Sequence, residues 1–372
     1  MNKNKKYYIV AGEASGDLQA SRLMKGIKEI NPNVEFRFLG GDLMLAQGGT
    51  LIKHYREMAF MGLDVVKNIR TIKRNMTLSQ KDILDWQPDA VILVDYPGIN
   101  LRIAEFAHKA GIKVYYYISP KVWVWKKNRI KKIKKFIDKM FVIFPFEVDF
   151  YKGHDYKVYY QGNPTLDIVH EELSKNLNKE LFLKENNLTE KPIIALLPGS
   201  RAQEVAKIMP EMVKAIKQFR DYQFVVAGVT VLNEEVYRNL IAGTDIKLVF
   251  DKTYDLLQVS YAAVVTSGTA TLETGLFKVP QVVCYKTGKL SYAIGKRLVN
   301  FEFFSLVNIL MKKEVVKEFL QNNLVKDIIS ELKRLTEDEN YRLEMKNNYQ
   351  KLTELLGESG SPKRTAELIL KD

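Results

Sequence analysis

The residues that could do chemistry sit in short clusters, each just after an apolar run. In Tyr261–Gly275, YAAVVTSGTATLETG, the run ends at Thr266-Ser267-Gly268-Thr269, and Ala270-Thr271-Leu272-Glu273 continues as a helix start. Small and hydroxyl residues opening a helix present free backbone N–H groups and the positive end of the helix dipole, which suits a phosphate. Glu273, about one turn inside, could accept both hydroxyls of a ribose. The pair suits a nucleotide diphosphate, although a capped helix with a first-turn acid accounts for the same letters. Leu197-Pro198-Gly199-Ser200-Arg201 is a second cluster. Gly199 and Ser200 bring N–H groups to a helix start, and Arg201 adds a permanent forked charge that suits a pyrophosphate better than a plain turn does.

Two further clusters lie near the amino terminus. Gly12-Glu13-Ala14-Ser15-Gly16-Asp17 follows a strand and opens a helix, without the GxGxxG or P-loop lysine pattern. Its glycines fit a tight turn, while two acids and a serine in the same loop point to a site. Asp95 follows the apolar run Asp89–Val94, where open α/β sheets place ligands. A shielded carboxylate there could act as a general base; a loop aspartate starting a turn is the alternative.

These positions require a particular set of elements. Strands are expected at Lys6–Ala11, Val34–Leu39, Thr50–His54, Asp89–Val94, Lys113–Ile118, Phe141–Phe144 and Val158–Gln161, with helices between them. A break near Gly162-Asn163-Pro164 is followed by a second alternation. Its strands are Pro192–Leu197, Tyr222–Ala227, Lys247–Phe250, Ala262–Val265 and Gln281–Tyr285, and the chain from Lys313 onward reads as charged helix. The fold class is therefore α/β: two Rossmann-like domains facing a cleft.

The chain has 372 residues, 46% hydrophobic and 27% charged, which is globular composition. One cysteine, Cys284, excludes an intrachain disulfide, and four scattered histidines lack metal-ligand spacing. The basic start MNKNKKYYIV has too short an apolar run for a signal peptide, and no run is long enough to span a membrane. A cytoplasmic location is expected. A net charge of +13 implies an acidic partner: nucleic acid, a phosphorylated substrate or an anionic membrane. Two segments concentrate the basic residues. Met58–Met76 reads as a basic amphipathic helix, with Leu63, Val65, Val66, Ile69 and Ile72 on one face and Lys67, Arg70, Lys73 and Arg74 beside or opposite it. Lys121–Met140 carries nine Lys/Arg against one Asp, reads as a dense basic helix, and holds Trp123 and Trp125. Both fit ordinary surface helices; the first also fits a membrane interface, and the second also a nucleic-acid or membrane surface.

The chain resembles the lipid-A-disaccharide synthase family, inverting glycosyltransferases of the GT-B fold. The resemblance rests on VAGEASGD (Val10–Asp17), MGL (Met61–Leu63), VDYPGIN (Val94–Asn100), ISPKVWVWKKNRIKKI (Ile118–Ile133), LPGSRAQEV (Leu197–Val205), TSGTATLETGL (Thr266–Leu276) and SLVNIL (Ser305–Leu310), in that order. It implies UDP-2,3-diacylglucosamine as donor and 2,3-diacylglucosamine 1-phosphate, lipid X, as acceptor. The product would be the β-1,6-linked disaccharide 1-phosphate of Gram-negative outer-membrane lipid, with UDP released. By this resemblance Asp95 is the general base and Arg201 neutralises the leaving diphosphate. Gly199, Ser200, Ser267, Gly268, Thr269, Thr271, Glu273 and Asn308 surround the nucleotide. Glu13, Ser15, Gly16 and Asp17 line the acceptor and sugar side.

No metal or other cofactor is implied, and no nucleic-acid partner. Acylated substrates favour docking on the anionic inner-membrane surface through Leu63, Val66, Ile69, Arg70 and Lys73, with the protein peripheral on the cytoplasmic face. The expected domains are 1–164 on the acceptor side, 165–345 for the nucleotide sugar, and 346–372 returning to the first domain or exchanged within a homodimer. The sequence departs from the family at Gln161-Gly162-Asn163-Pro164, where a histidine is usual, and at SLVN. Other UDP-sugar enzymes of this fold, a peptidoglycan N-acetylglucosaminyl transferase or a UDP-sugar 2-epimerase, are the competing reading. A nucleic-acid-binding protein is a more distant one.

Overall fold

A computed structural model describes residues 4–58, 69–123, 128–286 and 302–371, with the side chains of residues 69–73 outside that description. The chain divides into two units, Met1–Pro164 with Glu358–Asp372, and Thr165–Gly357.

The first unit runs β1 (Lys6–Ala11), α1 (Ala14–Ile30), β2 (Glu35–Gly40), α2 (Asp42–Ala46), β3 (Thr50–His54), α3 (Ile69–Trp86), β4 (Ala90–Val94) and α4 (Pro97–Lys109). It continues β5 (Lys113–Tyr117), α5 (Arg129–Phe136), β6 (Lys139–Val142), α6 (Pro145–Lys152) and β7 (Tyr159–Tyr160). The seven strands are parallel in the order β3-β2-β1-β4-β5-β6-β7. The order reverses between β1 and β4, so their carboxyl ends form a switch point.

Alternate residues of each strand face opposite layers. Tyr7, Ile9, Ile92, Tyr115 and Tyr117 pack with Leu23, Met24 and Ile27 of α1. Tyr8, Val10, Val91, Leu93, Val114 and Tyr116 pack with Ile83 of α3, Ile103 of α4 and Ile133 of α5. Burial on both sides is why these strands are near-continuous apolar runs and not alternating ones.

The second unit runs α7 (Pro164–Ser174), α8 (Lys179–Glu185), β8 (Ile193–Leu197), α9 (Ala202–Ala215), β9 (Gln223–Gly228), α10 (Glu234–Ile241), β10 (Lys247–Phe250), α11 (Thr253–Val259) and β11 (Ser260–Thr266). Then follow α12 (Thr269–Leu276), β12 (Gln281–Tyr285), α13 (Leu306–Met311), β13 (Glu318–Leu320), α14 (Leu324–Glu337) and α15 (Glu339–Leu356). Its six parallel strands are ordered β10-β9-β8-β11-β12-β13, with the switch point between β8 and β11. Phe182, Leu183, Leu256 and Leu257 cover one face, packing on Ile193, Ala195, Val225, Ala263 and Val265.

The chain then rejoins the first unit through α16 (Ser361–Leu370). Ala366 and Ile369 enter the same core layer as Tyr7, Ile9 and Leu23. Gly26 allows the close approach of α1 to α16: a β-carbon there would lie 3.2 Å from the Lys363 Cα. Arg364 ties together the two passages of chain that lead to and from the second unit. Its guanidinium donates to Gln161 O at 3.1 and 2.8 Å, to Ser359 O at 2.6 Å and to Glu358 O at 2.8 Å. Asn163 donates through Nδ2 to Ile143 O at 2.9 Å.

Two sequence expectations change. The charged segment after Lys313 is not all helix: Glu318–Leu320 forms β13, an edge strand on β12. Three residues are too few to show a period of two. Among the described residues, the basic helix expected over Lys121–Met140 is Arg129–Phe136; it stops short of Met140 because Lys139 and Met140 already belong to β6.

Candidate active site

Each switch point gathers two of the polar clusters. In the first unit, Gly12 and Glu13 leave β1 and enter α1, while Asp95 and Tyr96 leave β4 and enter α4. The two loops touch. A β-carbon on Gly12 would stand 2.2 Å from the Tyr96 ring, so only a bare Cα lets that ring lie across the loop. Glu13 is the extended residue before α1, half-buried, and Ser15 is exposed. Gly16 is buried, with the Ala11 Cβ 3.3 Å from where its own β-carbon would sit.

Burial raises the Asp95 carboxyl to about 6, and the charge of Glu13 adds to the rise. Lys121 and the Tyr96 N–H oppose it by stabilising the anion. Asp95 is thus poised to take a proton near neutral pH, which is what a general base needs.

Next to it, Ile118 follows β5 with φ 66, an unusual backbone for a β-branched residue. Beyond it, Glu147 is buried and fully occupied. Its carboxylate accepts from Ser119 Oγ at 2.5 Å, Trp123 Nε1 at 3.3 Å, Ile143 N at 3.1 Å and Phe144 N at 3.0 Å. Burial raises its proton affinity and these donors, Ser119 first, lower it. Glu147 therefore anchors the loop after β5 and caps α6 at once.

In the second unit, Gly199, Ser200 and Arg201 connect β8 to α9, with Gly199 at φ 98. Arg201 precedes α9 and is 59% exposed, its guanidinium 3.1 Å from Glu204. No N-cap side chain covers the first turn of α9, nor that of α12, which begins after Gly268. Both helix starts thus resemble anion sites, with Arg201 beside one of them. Gly268 and Thr269 are exposed. Ser267 Oγ donates to Phe304 O at 3.0 Å. Thr271 is buried; its hydroxyl donates to Gly268 O at 2.8 Å and accepts from Leu306 N at 3.2 Å. Glu273 is partly accessible and accepts from the Tyr254 hydroxyl at 2.9 Å. Loss of solvent around the carboxyl raises its proton affinity, and the Tyr254 bond offsets part of the rise.

Residues 7–371 match the family described as lipid-A-disaccharide synthetase. The chain belongs to the lipid-A-disaccharide synthetase family. It is 35% identical over 376 residues to the lipid-A-disaccharide synthase of Geobacter metallireducens, covering 99% of this chain and 97% of that one. It is 36% identical over 371 residues to that of Syntrophus aciditrophicus, covering 97% and 96%. Among solved structures, a UDP-GlcNAc 2-epimerase from Methanocaldococcus jannaschii in complex with UDP-GlcNAc and UDP superposes with a TM-score of 0.69. The identity is 12% over 99% of this chain and 100% of that one. A glycosyltransferase from Rickettsia africae gives 0.62 at 13% identity, covering 99% and 98%. At such identities the likeness is one of fold alone.

Within this synthetase family fold, two residues expected at the ligand bond to the protein's own backbone. Asp17 is 3% exposed, and its carboxylate accepts from Gly41 N at 2.7 Å, Leu43 N at 3.1 Å and Met44 N at 3.2 Å. It caps α2, an element with no sequence signal of its own. Asn308 is fully buried. Its Oδ1 accepts from Val315 N and Val316 N at 2.7 and 3.0 Å, and its Nδ2 donates to Val316 O at 2.8 Å and Glu318 at 2.7 Å. Every polar atom of that side chain is spent on the loop between α13 and β13.

Trp123 is buried, edge-on to Phe146, and offers no open face for a base. The expected membrane-facing Leu63 and Val66 lie outside the described residues, as do Trp125 and the side chains of Ile69, Arg70 and Lys73. Sequence reasoning places Glu147 only at the opening of a short helix, Pro145-Phe146-Glu147, and gives its side chain no role. Among the described residues, no group of three His, Cys, Asp or Glu could hold a metal.

Proposed function

We propose that this chain condenses UDP-2,3-diacylglucosamine with 2,3-diacylglucosamine 1-phosphate to the β-1,6 disaccharide 1-phosphate. The first unit serves the acceptor and the second the nucleotide. Asp95 takes the proton of the acceptor 6-hydroxyl as that oxygen bonds to the donor C1. The C1–O bond to the diphosphate breaks on the opposite face, and its electron pair leaves with UDP. Arg201 and the N–H groups at the starts of α9 and α12 stabilise the charge that develops there. Glu273 holds the ribose, and Glu13 and Ser15 contact the sugars. The observation that carries this reading is the raised Asp95 carboxyl at the switch point of a chain in this family.

We place the protein on the anionic cytoplasmic surface of the inner membrane. A net charge of +13 and the exposed Lys131, Lys132, Lys134 and Lys135 of α5 support that placement. Among the described residues no helix is long and apolar enough to cross a membrane.

Purified protein given both lipid precursors, with and without chelator, should release UDP and disaccharide equally in the two arms. Turnover of an undecaprenyl-linked acceptor, or epimerisation of free UDP-GlcNAc, in place of this product would overturn the proposal.

A further inference from the structure

Asp95 and Tyr96 are consecutive non-glycine residues in the left-handed region, at φ 44 and φ 46. L side chains avoid that region because Cβ crowds the carbonyl oxygen. Two in succession persist only where the surroundings over-determine the backbone.

Here the determinants are specific. The Asp95 carbonyl oxygen accepts from the Tyr116 hydroxyl at 2.5 Å and from Asn100 Nδ2 at 2.8 Å. The same Nδ2 reaches Val94 O at 3.2 Å and Val10 O at 3.4 Å, near the ends of β4 and β1. On its other side, the Asp95 N–H donates to Tyr117 O of β5 at 3.1 Å. Both peptide groups flanking the Asp95 Cα are therefore fixed, one from β5 and one from β5 and α4 together. Asn100 and Tyr116 are fully buried. Three carbonyls converge on one atom of the Asn100 amide, which must be its NH2. The two hydrogens of that NH2 are shared among the three carbonyls, and its Oδ1 is left buried without a donor, a cost tolerated for those contacts.

We propose that Asn100 and Tyr116 are positioning residues: they hold the Asp95 main chain in a strained conformation that fixes where its carboxylate stands. Neither touches a reacting atom. They act on the same Asp95 that the proposed function uses as base, so the inference rests on that reading. The charged groups around the pair are Glu13 and Lys121, which face Asp95, and Arg129, which faces Tyr116. None of them replaces the two bonds to the carbonyl.

Tyr116→Phe removes one hydroxyl and keeps the ring. Steady-state kinetics, a melting curve and a carbon-detected titration of the Asp95 carboxyl should be taken on the wild type and this variant, with Asp95→Asn as reference. The expected result is a kcat at least tenfold lower with KM for both lipids within twofold. The Asp95 midpoint should also fall from about 6 toward the ordinary carboxylate value as the group relaxes into water. A lower melting temperature with unchanged kcat and an unchanged midpoint would make the hydroxyl merely structural and overturn the inference. Full activity in Asp95→Asn would instead remove Asp95 as base; the Tyr116→Phe midpoint then decides positioning alone, and an unmoved midpoint overturns it. Should Tyr116→Phe not fold, Asn100→Ser is read by the same kcat, melting temperature and Asp95 midpoint.

Discussion

Asp95 titrates at about 6 in the folded chain against 3.8 for the free group, so folding and ionisation oppose each other there. As pH rises from 4 to 6 the unfolded chain loses this proton first, and the folded state loses stability relative to it. Above about pH 6 the loss is complete, and a gap of that size corresponds to about 3 kcal/mol. Asp95→Asn should therefore melt higher than the wild type at pH 8, with the difference vanishing near pH 4. Its turnover should be lower by about 10² to 10⁴. In the wild type kcat/KM should fall below pH about 6.

Arg201 presents the opposite balance. It is largely exposed and holds only a local ion pair with Glu204 among its described contacts. Arg201→Ala should leave the melting temperature within a degree or two, since such pairs contribute about 0 to 1 kcal/mol, while donor turnover drops by roughly 10² or more. Asp95 and Arg201 were visible in the sequence as residue types placed after buried strands. Asp17 and Asn308 stand in equally good motifs yet serve backbone N–H groups. A motif names the polar residues of a loop but not which of them face a ligand.

Elements explain that difference. Asp17 is used up because α2 starts above it, and α2 is five residues long with no periodic pattern to announce it. Glu147 could not be anticipated as the hub of the first unit's other loop, because its partners Ser119 and Trp123, on the loop after β5, lie more than twenty residues away in sequence. Glu147→Gln replaces one accepting oxygen by a donor that meets other donors. It should cost about 3 kcal/mol, by the scale for hydrogen bonds to a buried charge, and should shift Trp123 fluorescence, both checked by melting and emission spectra. The long strands were legible because burial on both faces writes itself as β-branched runs. The three-residue β13 writes nothing comparable.

At the scale of the whole chain, the doubly wound α/β class followed from two successive strand-and-helix alternations, and both sheets have that architecture. The stripe of α16 marks it as amphipathic, but no stripe names the surface it covers. Arg364 makes the attachment of α16 specific by satisfying the carbonyls of Gln161, Glu358 and Ser359. Arg364→Ala should lower the stability of the first unit by about 2 to 3 kcal/mol, seen as earlier loss of amide protection in α1 and α16, with the protection of β8 and β11 unchanged.

Ala366 and Ile369 complete a hydrophobic layer begun by Tyr7 and Ile9, more than 350 positions earlier in the order of synthesis. Residues 165–357 leave the ribosome before that layer can close. The half of the protein translated first is thus finished last, and nascent chains arrested ahead of Ser361 should show it: proteases should cut the early half while sparing the later one.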